Sequence, residues 1–213
     1  MTKLLFIGNS HTYFNDMPRM VQELAISAGI DTHVTMLTHG GMTLDWHRKQ
    51  EQTAFNLRFG GYDYCILQQA AHPFDGYQAL SDGVREIRGL AGDNPPRFVL
   101  YMTWAEKAKP ENQPEMTEAY RRTAAEQGTL LAPAGEMWKK FRSLNPDIDL
   151  YFTDGAHASY AGSMLAACAI FSTIFRQTPP AELSPEAVVL RRIPAEISGK
   201  ILDFCAQFPA EGF

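Results

Sequence analysis

Short, uniformly apolar runs alternate along the chain with longer stretches in which apolar residues recur every three or four positions. Leu4, Leu5, Phe6 and Ile7 follow one another without a polar break and stop at Gly8. This pattern fits a strand buried on both faces over residues 3–8. Asp16 and Pro18 then open a helix that stops near Ala28 and Gly29. Residues 33–38 alternate as a second strand, and 43–57 have helical spacing. A buried strand follows over 62–67, entered through Gly60 and Gly61. Leu80, Val84, Ile87 and Leu90 lie along one face of a predicted helix over 77–90. Pro95 and Pro96 precede a strand over 97–103. The remainder reads as a helix over 116–126, a short strand over 129–132 and a helix over 134–141. An apolar, buried helix follows over 160–175, and a terminal one over 193–208.

Strands and helices in strict alternation predict a parallel sheet covered on both faces. The expected fold class is therefore α/β, a flavodoxin-like three-layer α/β/α sandwich with a mainly parallel sheet of about five strands. The proline-rich stretch 177–185 has too little chain after it for a second unit, so residues 1–213 are expected to form one domain.

Composition narrows the function classes. Of 213 residues, 45% are hydrophobic and 20% charged, and 19 basic residues face 24 acidic ones for a net charge of −5. That balance gives no basic footprint for nucleic acid and no polybasic surface for lipid. The longest apolar stretch, 161–175, is interrupted by Ser163, Ser172 and Thr173 and is too short to span a bilayer. The first residues lack a signal-peptide core, so the cytoplasm is the default location. Cys65, Cys168 and Cys205 are odd in number and far apart, and read as reduced thiols rather than disulfides or zinc ligands.

Ligands of parallel α/β sheets sit beyond the carboxyl ends of the strands. The polar residues at those ends are Asn9, Ser10 and His11 after the first strand and His39, Gly40 and Gly41 after the second. Gln68, Gln69 and His72 follow the third, and Thr103 and Trp104 the fourth. One further group, Asp154, Gly155, Ala156 and His157, stands just ahead of the apolar helix. Together these supply the parts of a nucleophilic serine site. Ser10 offers a hydroxyl at a strand-to-helix turn, where helical N–H groups are free. His157 offers a base, and Asp154, three residues earlier, a carboxylate to orient it. Gly41 can present an unobstructed N–H, and Gln68 or Gln69 a side-chain amide. Each has a plain structural role as well, with Ser10 as a turn residue and Asp154 as the start of a turn. Their joint occurrence at one sheet edge argues for chemistry. His33, His39 and His47 lack convincing metal-ligand spacing, and Asp154 and His157 with His39 lack a well-spaced third ligand.

These blocks resemble the SGNH (GDSL-type) hydrolase superfamily of esterases and lipases. The family's Gly-Asp-Ser strand end is written here FIGNSHT, and its Asp-x-x-His block is DGAHAS, residues 154–159. The glycine of its second block corresponds to Gly41 in THGGMT, with Gly40 as the other candidate. The wider pattern, with YDYCILQQ and MTW, is similar to a bacterial branch that writes Gly-Asn-Ser. The resemblance runs through Ser159, roughly the first three quarters of the chain. It implies Ser10 as nucleophile, with its own N–H and that of Gly41 in the oxyanion hole. It further implies His157 as general base and then acid, Asp154 as its orienter, and no metal or organic cofactor. The implied partner is a small-molecule ester, with an acylated sugar among the candidates.

Two departures stand out. Asn9 replaces the family's aspartate, and its side-chain oxygen is expected to support the turn by bonding nearby N–H groups. The family's third block, Gly-x-Asn-Asp, is missing, and CILQQAAHPF stands there instead. Ungapped counting puts His72 at the asparagine position. The Gly-Asn-Ser branch points to Gln68, and Gln69 would face the other side. The missing asparagine leaves open a non-catalytic binding module on the same fold. A nucleotide-binding protein is disfavoured because GNSHTYFN lacks a phosphate-cradling glycine run.

Overall fold

The computed structural model describes residues 1–207. Five parallel strands form one sheet in the order β2-β1-β3-β4-β5: β1 Thr2–Gly8, β2 Thr32–Thr38, β3 Tyr64–Leu67, β4 Arg97–Tyr101 and β5 Leu130–Ala132. This is the doubly wound arrangement, with the order reversing at β1. The apolar run in β1 reflects burial on both sides. Leu4 and Phe6 point into one core, and Leu5 and Ile7 into the other.

The first core is closed by α2 Met17–Ser27, α7 Ala134–Leu144, α8 Tyr160–Phe175 and α9 Ala195–Ala206. The second is closed by α3 Leu44–His47, α4 Glu51–Phe59, α5 Gly76–Gly89 and α6 Gln113–Gln127. Helix α8 is buried along nearly its whole circumference, which is why its sequence shows no polar face. The three-layer α/β/α sandwich is thus as expected.

Two regions differ from the sequence expectation. The segment 43–57 divides into α3 and α4, because Gln50 takes an extended conformation (φ −89°, ψ 128°). Ion pairs from Asp45 to Arg48 (2.7 Å) and to Lys49 (2.6 Å) close the first piece. The helix opened by Asp16 and Pro18 forms as expected, as α2, but an element that the sequence pattern does not announce precedes it. A short turn, α1 Ser10–Tyr13, is followed by Asn15 (φ 56°) and Asp16 (φ 57°), both left-handed, before α2 begins. Phe208, where the terminal helix was expected to end, lies outside the described residues. Among the described residues, no helix is long and apolar enough to cross a membrane.

The segment 184–192 returns across α2 and is anchored by a buried carboxylate. Glu23, 1% exposed, accepts the N–H groups of Val188, Val189 and Leu190 at 2.9–3.1 Å and pairs with Arg19 at 3.2 Å.

Candidate active site

Strand β1 ends where the chain must turn sharply without side-chain bulk. A Cβ at Gly8 would lie 2.5 Å from Thr12 Oγ1 and 2.6 Å from Gln68 Oε1, so only glycine fits. The Gly8 carbonyl accepts the His39 N–H (3.1 Å) and a bond from His47 Nε2 (2.7 Å), which fixes the proton of that imidazole on Nε2. Asn9 then caps α1. Its Oδ1 accepts the His11 N–H (3.1 Å), and its Nδ2 donates to the Met42 carbonyl (3.0 Å). The expected turn support is present without a charge, and the same amide ties the turn to the loop carrying Gly41. That loop turns between His39 and Met42, with the Met42 N–H on the His39 carbonyl at 3.2 Å and Gly41 at φ 72°. The left-handed value suits glycine at this position.

Ser10 follows, at the start of α1. Its Oγ lies 2.8 Å from His157 Nε2, and His157 Nδ1 lies 2.6 Å from Asp154 Oδ2. Asp154 Oδ1 accepts the backbone N–H groups of Ala156 and His157, each at 2.9 Å. Ser10 and two residues near the far end of the chain, one of them 147 positions away, therefore form one continuous hydrogen-bonded relay. Burial pulls the Asp154 pKa upward, but the Ala156 N–H, the imidazole and the His157 N–H outweigh it and hold it at about 2.

The loop bearing the pair is braced from several sides. Phe152 N–H donates to the His157 carbonyl (2.8 Å), Lys107 N–H to Gly155 (2.8 Å) and the Trp104 indole N–H to Ala156 (2.9 Å). Asn15 Nδ2 donates to the Ala158 carbonyl at 2.9 Å. Trp104, which follows the fourth strand, is buried and stacked on Trp138 at 3.8 Å between ring centroids.

The third-block residues separate clearly. Gln68, expected as the donor that replaces the asparagine, is committed elsewhere. Its Oε1 accepts the Asn9 N–H (2.8 Å) and the Thr12 hydroxyl (3.0 Å), and its Nε2 donates to the Gln69 carbonyl. It joins the end of β3 to the turn after β1. Gln69 Oε1 accepts the Leu44 N–H at 2.9 Å and holds the start of α3. His72 has a buried Nε2 without a hydrogen-bond partner, and its ring meets His11 edge-on at 5.0 Å between centroids. Burial, ahead of smaller effects of Glu106, His157, Lys109 and Asp154, lowers the His72 pKa and favours the neutral ring.

The sequence places His11 only among the polar residues after the first strand and gives no reason to single out Phe14, yet both rings lie flat against His157. The signal available was only their place one and four residues after Ser10. Among the described residues, no group of three or more His, Cys, Asp or Glu is disposed to hold a metal ion.

No family model and no curated protein sequence matches the chain. Solved structures do. The chain is similar to a DUF4886 family protein from Bacteroides uniformis ATCC 8492, with 20% identity and a TM-score of 0.77 over 96% of this chain and 93% of that one. It is similar to the psychrotrophic esterase EstA from Pseudoalteromonas sp., at 9% identity and TM-score 0.63 over 83% of this chain and 98% of that one. A third is Axe2, an acetylxylan esterase from Geobacillus stearothermophilus, at 17% identity and TM-score 0.56 over 81% and 94% of the two chains. The chain has the fold of the SGNH, or GDSL-like, esterases and lipases.

Proposed function

We propose that the protein is a serine ester hydrolase of the SGNH type, acting as a single domain on a small ester. The observation that carries this reading is the relay from Ser10 through His157 to Asp154, at 2.8 and 2.6 Å. In the reaction, Ser10 Oγ attacks the ester carbonyl while its proton passes to His157 Nε2. The carbonyl π electrons move onto oxygen, and the N–H groups of Ser10 and Gly41 receive that charge. His157 then returns the proton to the departing alcohol, and water repeats the sequence to free the acid. Asp154 holds the imidazole in the tautomer that leaves Nε2 facing Ser10.

For the third donor we choose His72 over Gln68 and Gln69. Its unpartnered Nε2 supports this choice, since both glutamine amides already hold backbone groups. A neutral ring protonated on Nε2 can donate to the oxyanion without carrying a charge. The substrate to try first is an acetylated sugar, the class named by the acetylxylan esterase of like fold. Three buried cysteines, none in a disulfide, support a reducing compartment such as the cytoplasm.

The test uses the purified chain with a fluorophosphonate probe and nitrophenyl acetate. Labelling confined to Ser10, and loss of both labelling and hydrolysis in Ser10→Ala, is the expected result. A chain that binds acylated sugars but takes no label at any pH is a binding module instead.

A further inference from the structure

Two hydrogen bonds fix the His157 imidazole within its own plane, Asp154 on Nδ1 and Ser10 on Nε2. They leave the ring free to tilt about the line through its two nitrogens. Two other rings remove that freedom. Phe14 stacks on His157 with centroids 4.4 Å apart and planes 21° apart, and His11 with centroids 4.9 Å and planes 14° apart. A five-membered ring has little room for two such stacks side by side on one face, and the geometry points to one on each face.

Both plates come from the segment that carries the nucleophile. His11 is the next residue after Ser10 and belongs to α1. Phe14 leaves the helix (φ −55°, ψ 137°), and the left-handed Asn15 and Asp16 follow it. Left-handed backbone at two successive non-glycine residues is costly and needs support. Asn15 supplies it by donating to the Ala158 carbonyl and to Ser163 Oγ, both at 2.9 Å, which ties the turn to the loop bearing His157. His11 is itself backed edge-on by His72 (5.0 Å) and Trp104 (5.6 Å), so it cannot retreat from the stack.

We propose that His11 and Phe14 are positioning residues, a two-sided ring clamp that aligns the His157 imidazole and stabilises its cationic form during acyl transfer. The proposal rests on the esterase reading for its catalytic consequence. When Ser10 gives up its proton, the imidazolium lies between two π faces, an arrangement favourable to a cation. The titratable groups facing it are Asp154 from its own loop, His11 from α1 and His72 from the loop after β3; Glu106 and Lys109 act on His72. His11 serves as an uncharged plate, because burial, then His72 and His157, lower its pKa to about 3 against a small opposing effect of Asp154.

The experiment compares the parent with His11→Leu, His11→Phe, Phe14→Leu and Phe14→Tyr. It measures thermal melting, kcat and KM for nitrophenyl acetate against pH, and the His157 ring titration by NMR of 15N-histidine-labelled protein. The leucine variants should fold and lose kcat roughly 10–100-fold at unchanged KM. Their acid limb and ring titration should move down by about half a pH unit. The aromatic variants should return to within about threefold of the parent, with the limb restored. Folded leucine variants with parental kcat and an unmoved titration overturn the clamp. A loss confined to KM does so too, since it makes Phe14 a substrate surface. An inactive, unlabelled parent whose ring titration still moves in the leucine variants overturns the esterase reading alone.

Discussion

At Asp154 one carboxylate does two jobs, accepting two backbone N–H groups on Oδ1 and the imidazole on Oδ2. Its folded pKa, about 2, lies below the ordinary value of about 3.9. The stability it contributes is therefore present above the ordinary value and is lost only as pH falls through the folded one. Between pH 5 and 8 it is always an anion, so no change of activity with pH in that range is expected to come from this carboxylate. Asp154→Asn keeps an oxygen for the two N–H groups and should fold, yet lose about 10³–10⁴ in kcat on nitrophenyl acetate. His72→Ala should cost about 10²–10³ in kcat with little change in melting temperature. Gln68→Ala should instead lower stability, because the Asn9 N–H and Thr12 hydroxyl lose their acceptor. Ser10, Asp154 and His157 were legible because spacing and strand-end position constrain them. The proposed third donor was not. Three candidates shared one loop, and only the observed directions of the glutamine amides separate them. The stacking of His11 and Phe14 was hidden for a different reason: it depends on two left-handed residues that no turn residue such as glycine announced.

The elements that carry these residues depend on close backbone approach at the end of β1. Gly8→Ala would push against both Thr12 and Gln68, the groups that hold the turn. The expected cost is about 1–3 kcal/mol in urea unfolding. A larger fractional loss in kcat should accompany it, because Ser10 is two residues away. The Glu23 anchor makes a comparable demand on α2. Glu23→Ala leaves the N–H groups of Val188, Val189 and Leu190 without an acceptor and should cost about 3 kcal/mol, read in the same way. Strand and helix order were legible throughout, and α8 was bounded correctly because polar residues flank a predominantly apolar stretch. The division of 43–57 was not, since apolar spacing continues across Gln50 while the backbone does not. Glu23 gave no signal either, as its partners lie about 165 residues onward.

For the molecule as a whole, both sheet faces are sealed, and all three cysteines lie inside. Burial raises the Cys65 thiol, and contact with Cys168, then burial, raises that of Cys205. A thiol reagent such as dithionitrobenzoate should find no reactive group in the native protein within minutes, and three after denaturation; early reaction of one would mean that a helical layer opens easily. The 147-residue separation of Ser10 and His157 has a consequence during synthesis. A nascent chain that has displayed only its first 150 residues carries the serine without base or orienter, and its hydroxyl is as inert as any on a peptide. The site is armed only when the last loop closes onto the first turn. A ribosome-stalled series probed with fluorophosphonate should therefore show labelling in a single step, after α8 has cleared the exit tunnel.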